Sequence, residues 1–273
     1  MRQGCARLAQ VMTTLEQLTS VDGEIFPADE ARISPADDGL LRGDGVFEVV
    51  KSYAGRPHAL DEHLDRLERS AAAIHLDVPR QQLEDDARAL LERTGDEDSL
   101  LRLVVTRGGR RLAFTEPCPE WAESARVATV RYEPTIVLTG VKSLSYGANM
   151  HSTRIAKAGG ADEAVLVRAD GTVLEGPTCS IFWVGEDGHL RTPSLAVGIL
   201  DSIVRGRIVE ALGVEEGSYP LSDLLGASEA FLASTSREIQ PISEIDGAKL
   251  PLCPGPRTEQ AIQAFRDVLQ REL

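Results

Sequence analysis

Two residues of this chain are suited by type to one piece of chemistry. They are Lys142, in Val141-Lys142-Ser143-Leu144-Ser145-Tyr146, and Glu175, in Leu174-Glu175-Gly176-Pro177. A lysine amine can add to a carbonyl and form an imine. A carboxylate can keep a heterocyclic nitrogen protonated, so that the ring draws electrons toward itself. Each residue alone has a plainer reading: a lysine near a strand end is ordinarily a solvated surface group, and a glutamate before a glycine ordinarily punctuates a turn.

The elements that must carry this pair are legible as periodicities and turn signals. From Val21 the chain reads as strands joined by hairpins, with a turn at Asp22-Gly23 and an alternating strand from Val46 to Tyr53 that ends at Ala54-Gly55-Arg56. Leu60, Leu64, Leu67, Ala71 and Ile74 recur at steps of four and three, one face of an amphipathic helix with Asp61 and Glu62 in its first turn. On that periodicity Arg66 is an ordinary exposed helix charge. A second helix is expected over 80–93 and a strand over 100–106, stopping at Gly108-Gly109. The prolines of Glu116-Pro117-Cys118-Pro119 then suit a linker. Beyond it come a strand over 126–132, Lys142, and a helix to about Ala158 that stops at Gly159-Gly160. Hairpin turns follow at 169–171 and 186–188, then a helix over 203–212, a strand over 230–234 and a terminal helix over 257–272. The expected organisation is an unassigned extension over 1–19, with Met12 as an alternative start, an α+β domain over 20–118 and a larger domain over 119–273.

Composition removes several function classes. A chain of 273 residues that is 42% hydrophobic can bury a sizeable core, and its formal charge of −14 argues against a nucleic-acid partner. Cys5, Cys118, Cys179 and Cys253 form no Cys-x-x-Cys, and no signal-peptide core precedes them, so a reduced cytoplasmic setting is expected. Cys179 reads as a small buried filler. No run approaches the roughly 20 apolar residues of a membrane span. No metal site is expected: His-x-x-x-His is missing, as are a Walker loop, a dinucleotide glycine turn and Gly-x-Ser-x-Gly.

Six segments, in order, carry a resemblance. They are Arg42-Gly-Asp-Gly-Val-Phe-Glu48, Asp61-Glu-His-Leu-Asp-Arg-Leu67, Lys142-Ser-Leu-Ser-Tyr146, Asp170-Gly-Thr-Val-Leu-Glu-Gly176, Gly198-Ile-Leu-Asp-Ser-Ile-Val-Arg205 and Ser234-Thr-Ser-Arg-Glu-Ile-Gln-Pro-Ile242. From about Val21 onward the chain resembles the fold-type IV pyridoxal-phosphate family: branched-chain aminotransferases, D-amino acid aminotransferases and 4-amino-4-deoxychorismate lyases. The resemblance implies a two-domain α+β fold, with a small N-terminal α/β sandwich-like domain and a larger C-terminal mixed sheet that closes as a pseudo-barrel. It also implies pyridoxal 5'-phosphate as cofactor and a homodimer whose pockets are completed by a partner's loop.

Residue by residue, the resemblance makes Lys142 the catalytic lysine that joins the cofactor aldehyde and moves the substrate proton. Glu175 is matched to the ring nitrogen and Leu200 to a ring face. The phosphate is matched to Arg66, the backbone amides of Ile203 and Val204, and the hydroxyls of Thr235 and Ser236. On the substrate side the matched residues are Phe47 and Lys51. The segment Phe47-Glu48-Val-Val-Lys51 looks like D-amino acid aminotransferases in its Glu48 and Lys51, although Phe47 lacks the tyrosine hydroxyl of those enzymes. Arg42 resembles some lyase relatives and is a candidate for a substrate carboxylate, with Arg110 and Arg111 assisting from the neighbouring subunit. Two departures stand out: Ser202-Ile203-Val204 replaces the usual Gly-Ile-Thr, and Ser180 replaces a common asparagine.

The expected activity is transamination of an α-amino acid, of branched-chain or D-amino acid type, with a 2-oxo acid acceptor. A lyase releasing pyruvate and 4-aminobenzoate is the alternative, and an (R)-selective amine transaminase comes third. A non-catalytic binding relative is the reading from another class; retention of Lys142, Glu175 and Arg66 together argues against it.

Overall fold

A computed structural model describes residues 17–273. Met12, Cys5 and most of the extension assigned to 1–19 lie outside the described residues. The first strand occupies Leu18–Val21, so Val21 closes that strand instead of opening it.

Six strands form one antiparallel sheet. They are β1 (Leu18–Val21), β2 (Glu24–Pro27), β3 (Gly45–Tyr53), β4 (Arg56–Pro57), β5 (Ser99–Thr106) and β6 (Arg111–Pro117), in the order β2-β1-β6-β5-β3-β4. Helix α1 (Asp38–Arg42) precedes β3, while α2 (Leu60–Ala73) and α3 (Arg80–Thr94) pack on the sheet. The expected alternation in β3 is present, but both faces are covered. Val46 and Val50 join Leu64, Leu67, Leu83 and Leu90 in a core under the two helices, while Phe47 and Val49 face a cavity on the other side.

The second sheet is mixed and curls into a half-barrel. Its strands are β7 (Ala125–Arg131), β8 (Glu163–Val167), β9 (Ser180–Val184), β10 (Leu190–Pro193), β11 (Glu215–Gly217), β12 (Glu229–Ser234), β13 (Glu238–Ile245) and β14 (Ala248–Lys249). They run in the order β11-β10-β9-β12-β13-β7-β8, with β14 on β13. Helices α4 (Gly147–Ala158), α5 (Ile203–Leu212), α6 (Leu221–Leu225) and α7 (Pro256–Glu272) complete the chain. Every residue of β9 and β12 is buried. Neighbours along these strands therefore feed two cores: Phe182 and Phe231 stack with centroids 4.8 Å apart beneath α5 and α7, whereas Trp183 and Leu232 enter the opposite core. None of the described helices is long and apolar enough to cross a membrane.

Helix α7 begins after Gly255, which has no side chain to cap it. Glu229 of β12 performs that task from a distance. It accepts from the amides of Arg257 and Thr258 at 3.0 and 2.8 Å and from the Thr258 hydroxyl at 2.8 Å. Its carboxylate also fills the space that a Cβ on residue 255 would need. Glu229→Ala should cost about 2 kcal/mol in chemical denaturation, the loss of a buried, charge-assisted helix cap; an unchanged midpoint would contradict this role.

Candidate active site

Lys142 follows a short turn of helix over Ile136–Leu138, and backbone bonds to β3 fix it in place. Its carbonyl accepts from Phe47 N–H at 3.1 Å, Leu144 N–H reaches Gly45 O at 2.9 Å, and Val46 bridges Ser143. That approach needs a glycine at 45, because a Cβ there would sit 2.5 Å from Val105 O and 2.7 Å from the Leu144 side chain. The Lys142 amide donates to Ser70 Oγ at 3.1 Å. Its Nζ lies 4.2 Å from the Phe47 ring centroid and 5.7 Å from that of Tyr146, with the two rings edge to face at 5.2 Å.

Glu175 lies between β8 and β9, where Leu166 N–H donates to its carbonyl at 2.8 Å. Its side chain turns into the same cavity, and Oε1 accepts from Leu200 N–H at 3.1 Å. Burial pushes this carboxyl up to about 7, against the opposing pull of the Leu200 amide and the Lys142, Arg205 and Arg66 cations. Burial pushes the Lys142 amine down to about 8; the Arg66 and Arg102 cations add to that shift and the Glu48 and Glu175 carboxylates oppose it. The proton affinities of an acid and a base have been moved toward each other, a pattern typical of sites that transfer protons.

Arg66 is 5% exposed and not the surface charge its helix periodicity suggests. Its Nε and Nη2 each donate at 2.7 Å to Glu48, and Nη1 donates at 2.9 Å to the carbonyl of Asp201, just ahead of α5. His63 Nδ1 lies 2.8 Å from the same carboxylate. Burial alone would raise the Glu48 carboxyl, but Arg66 and then His63 outweigh it and hold the group at about 2. His63, Arg66 and Ser70 make a polar stripe at helical spacing along α2, beside the apolar one. That stripe was the available sequence signal, together with an acid at 48 on the core-facing side of β3.

These groups meet in a cavity of about 620 Å³. Of the residues singled out in the sequence, it brings together Lys142, Glu175, Arg66, Phe47, Leu200, Thr235 and Ser236. Ile203 and Val204 stand just behind, in the first turn of α5, whose capping Ser202 lines the wall. Thr235 and Ser236 occupy the β12–β13 turn. That turn is pinned by Trp121, whose Nε1 donates to Ser236 O at 3.0 Å, and by Arg237, which stacks on the Trp121 ring at 3.9 Å and donates to Glu163 at 2.8 Å.

Four expected substrate residues line no wall of the cavity in this chain. Arg42 pairs with Asp38, Arg110 with Asp22 and Arg111 with Asp86. Lys51 donates to Glu238 at 2.6 Å. Besides Lys142 and Arg66, the cavity wall holds a third cation, Arg102 of β5 beside Phe47, which the sequence reading passed over. The one charge in the apolar run Leu100 to Val105 was its signal.

Poising Glu175 this way has a cost that pH exposes. Its folded pKa lies above the ordinary 4.5, so between about 4.5 and about 7 the folded chain binds more protons than the unfolded one, and stability falls as pH rises through that window. Cofactor-free Glu175→Gln should therefore be more stable than the parent at pH 8 by roughly 2–3 kcal/mol. The advantage should disappear near pH 4, and urea unfolding at the two pH values measures it. Equal gains at both would contradict the assignment.

Comparison with known proteins agrees with this geometry. The family model described as amino-transferase class IV matches residues 45–245. A putative branched-chain-amino-acid aminotransferase of Methanocaldococcus jannaschii is 35% identical over 252 residues, spanning 83% of this chain and 87% of the relative. A D-alanine aminotransferase of Bacillus licheniformis is 30% identical over 92% of this chain and 96% of its own length. An aminodeoxychorismate lyase of Bacillus subtilis is 28% identical over 93% and 94%. Among solved structures, the branched-chain aminotransferase of Thermoproteus uzoniensis superposes with a TM-score of 0.82 at 32% identity, covering 93% of this chain and 95% of that one. With the lysine, the glutamate and the buried arginine gathered in one cavity of the same fold, the chain belongs to the class IV aminotransferases, a family of pyridoxal-phosphate-dependent enzymes.

Proposed function

We propose that this chain transfers the amino group of an α-amino acid to a 2-oxo acid, with pyridoxal 5'-phosphate held in the 620 Å³ cavity. The observation that carries the reading is the shared cavity of Lys142 and Glu175, with their proton affinities drawn to about 8 and about 7. The donor set fits the cofactor. Glu175 has one oxygen on Leu200 N–H, which leaves the other for a ring N–H. Arg66 offers five N–H donors in all. Its bonds to Glu48 and Asp201 leave one on Nη1 and one on Nη2 for a phosphate. The first amides of α5, at Ile203 and Val204, have no partner within the helix and carry its positive dipole end, and the Thr235 and Ser236 hydroxyls complete an anion cradle. Leu200, in the cavity wall, would hold one face of the ring.

When bound, pyridoxal phosphate supplies the electron sink that makes the substrate α-proton acidic. Everything else falls to the chain's own residues. Lys142 Nζ, with its lowered proton affinity, would take and return that proton, and the Glu175 carboxyl would hold a proton against the ring nitrogen. The Phe47 and Tyr146 rings exclude water beside Nζ, and Tyr146 Oη is fixed by donation to Pro177 O at 2.6 Å. We assign the side-chain end of the substrate, and its carboxylate where it has one there, to Arg102.

Acceptor dependence decides the reaction. Purified protein reconstituted with the cofactor should show an imine absorbance that Lys142→Ala abolishes, and sustained turnover should require a 2-oxo acid. Acceptor-free release of pyruvate from aminodeoxychorismate, without amino exchange to any 2-oxo acid, would replace transamination with the lyase reaction suggested by the B. subtilis relative.

The active unit in this reading is a homodimer. Ile136 and Val137 are 88% and 80% exposed beside the cavity-lining Thr135 and Leu138. So large an apolar step at a cavity mouth suits an obligate interface of roughly 2,000 Å². The loop over 108–111, with Arg110 and Arg111, is the segment we assign to the neighbour's cavity. Sedimentation at assay concentration should give a dimer. Ile136→Asp combined with Val137→Asp should yield monomers with at least about tenfold lower kcat/KM. A fully active monomer would refute the assignment.

A further inference from the structure

The register of the first sheet arranges a small electrostatic device at the far side of Phe47 from the helices. Arg102 of β5 lies opposite Phe114 of β6, and Glu116 is two residues further along β6 on the same face. The guanidinium carbon stands 5.5 Å from the Phe47 centroid and 5.9 Å from that of Phe114, so two aromatic rings flank it. Phe47 also carries Lys142 Nζ at 4.2 Å, which places the Arg102 charge about one amino-acid side chain from the reacting amine. Arg102 Nε and Nη2 both converge on Glu116 Oε2, at 2.9 and 2.8 Å. The carboxylate thus holds the guanidinium side-on through a single oxygen. Among the described residues, both N–H groups of Nη1 and one of Nη2 have no partner, and one from each nitrogen forms the end-on fork that suits a second carboxylate. The pair is only partly covered, at 30% and 35% exposure, so a ligand can reach it. Arg102 and Glu116 both line the cavity.

We propose that Glu116 is a specificity-determining residue, a resident counter-ion that aims the Arg102 fork and trims its charge so that one end of the cavity accepts either an apolar side chain or a carboxylate. The proposal rests on the aminotransferase reading of the cavity, in which amino donor and oxo acceptor occupy the same space in turn. An apolar side chain laid over a lone guanidinium would strip its water without replacing it, whereas over an ion pair it covers a neutral unit. A carboxylate entering end-on gains the fork but feels the Glu116 charge beyond it, which weakens its hold. Glu116 therefore narrows the gap between the two kinds of ligand from both sides.

Two inert acids read this directly. Glutarate has a carboxylate for the Arg102 fork and hexanoate has an apolar end, and neither can undergo amino exchange. Their dissociation constants are measured by calorimetry on the cofactor-loaded protein. Glu116→Gln keeps an oxygen for Nε and removes the charge, so glutarate should bind about five-fold tighter and hexanoate about two- to three-fold weaker, in keeping with a partly exposed ion pair. Glu116→Asn carries the same signs if the glutamine variant does not fold. In an Arg102→Gln background the Glu116 substitution should no longer move the ratio of the two constants. A ratio unchanged in Glu116→Gln, a shift of both acids in the same direction, or an equal shift without Arg102 would overturn the proposal. Because binding alone is read, failure here leaves acceptor-dependent turnover standing, and absence of turnover would leave this ratio measurable.

Discussion

A fully buried Glu48 carboxylate gripped by Arg66 on two oxygens is the contact on which the rest of the active site hangs. Glu48 lies on the core face of β3 and Arg66 on α2, so the pair locks helix to sheet. The same guanidinium reaches Asp201 O, which ties the first sheet to the start of α5 beside the second. Such a pair is expensive to bury, and its gain over apolar packing is small. Loss of one partner alone costs about 3–5 kcal/mol, because it strands the other charge. What the arrangement supplies is placement: a permanent cation in the cavity wall, fixed by Glu48 and Asp201.

Lys142 and Glu175 owe their character to the same burial. Neither is shifted chiefly by the other. Desolvation moves the amine down and the carboxyl up, and the neighbouring charges only trim the result. The fold keeps both groups where their ordinary charged forms are disfavoured, a local destabilisation built into the cavity. Backbone bonds, not side-chain packing, set the position of each: Phe47 N–H, Leu144 N–H and Ser70 hold the lysine segment, and Leu200 N–H holds the carboxylate.

The two sheets contribute differently. The half-barrel supplies the Glu175 loop, the α5 start and the β12–β13 turn, the parts suited to a cofactor. The antiparallel sheet supplies Phe47, Val49, Arg102 and Glu116 from three adjacent strands, the parts suited to a substrate side chain. A chain of this family can therefore change its substrate by altering one face of the first sheet while leaving the second intact. Relatives named for branched-chain amino acids, D-alanine and aminodeoxychorismate resemble the chain at 35%, 30% and 28% identity.

The sequence by itself determined the elements and the chemistry-bearing pair. Periodicity located α2, α5 and α7 to within a residue, because apolar stripes and glycine stops are local signals. Motif order was enough for Lys142, Glu175, Arg66 and the hydroxyl turn at 235–236, which the cavity gathers. Short elements such as α1 and β11 escaped, since five residues or fewer carry no period. What only the tertiary structure decided was which charges face inward. Arg66 reads as exposed because its helix stripe is apolar one residue away, and it is buried because Glu48 arrives from another strand. Arg102 reads as an interruption in a strand, and it becomes a cavity wall because β3 and β6 bring aromatic rings to either side. Arg42, Arg110 and Arg111 each pair with an acidic residue of their own chain, which the sequence did not reveal. A charged side chain takes its role from its partner; Asp38 is one helical turn from Arg42, but the partners of Arg66, Arg102, Arg110 and Arg111 come from other elements, 14 to 88 residues away.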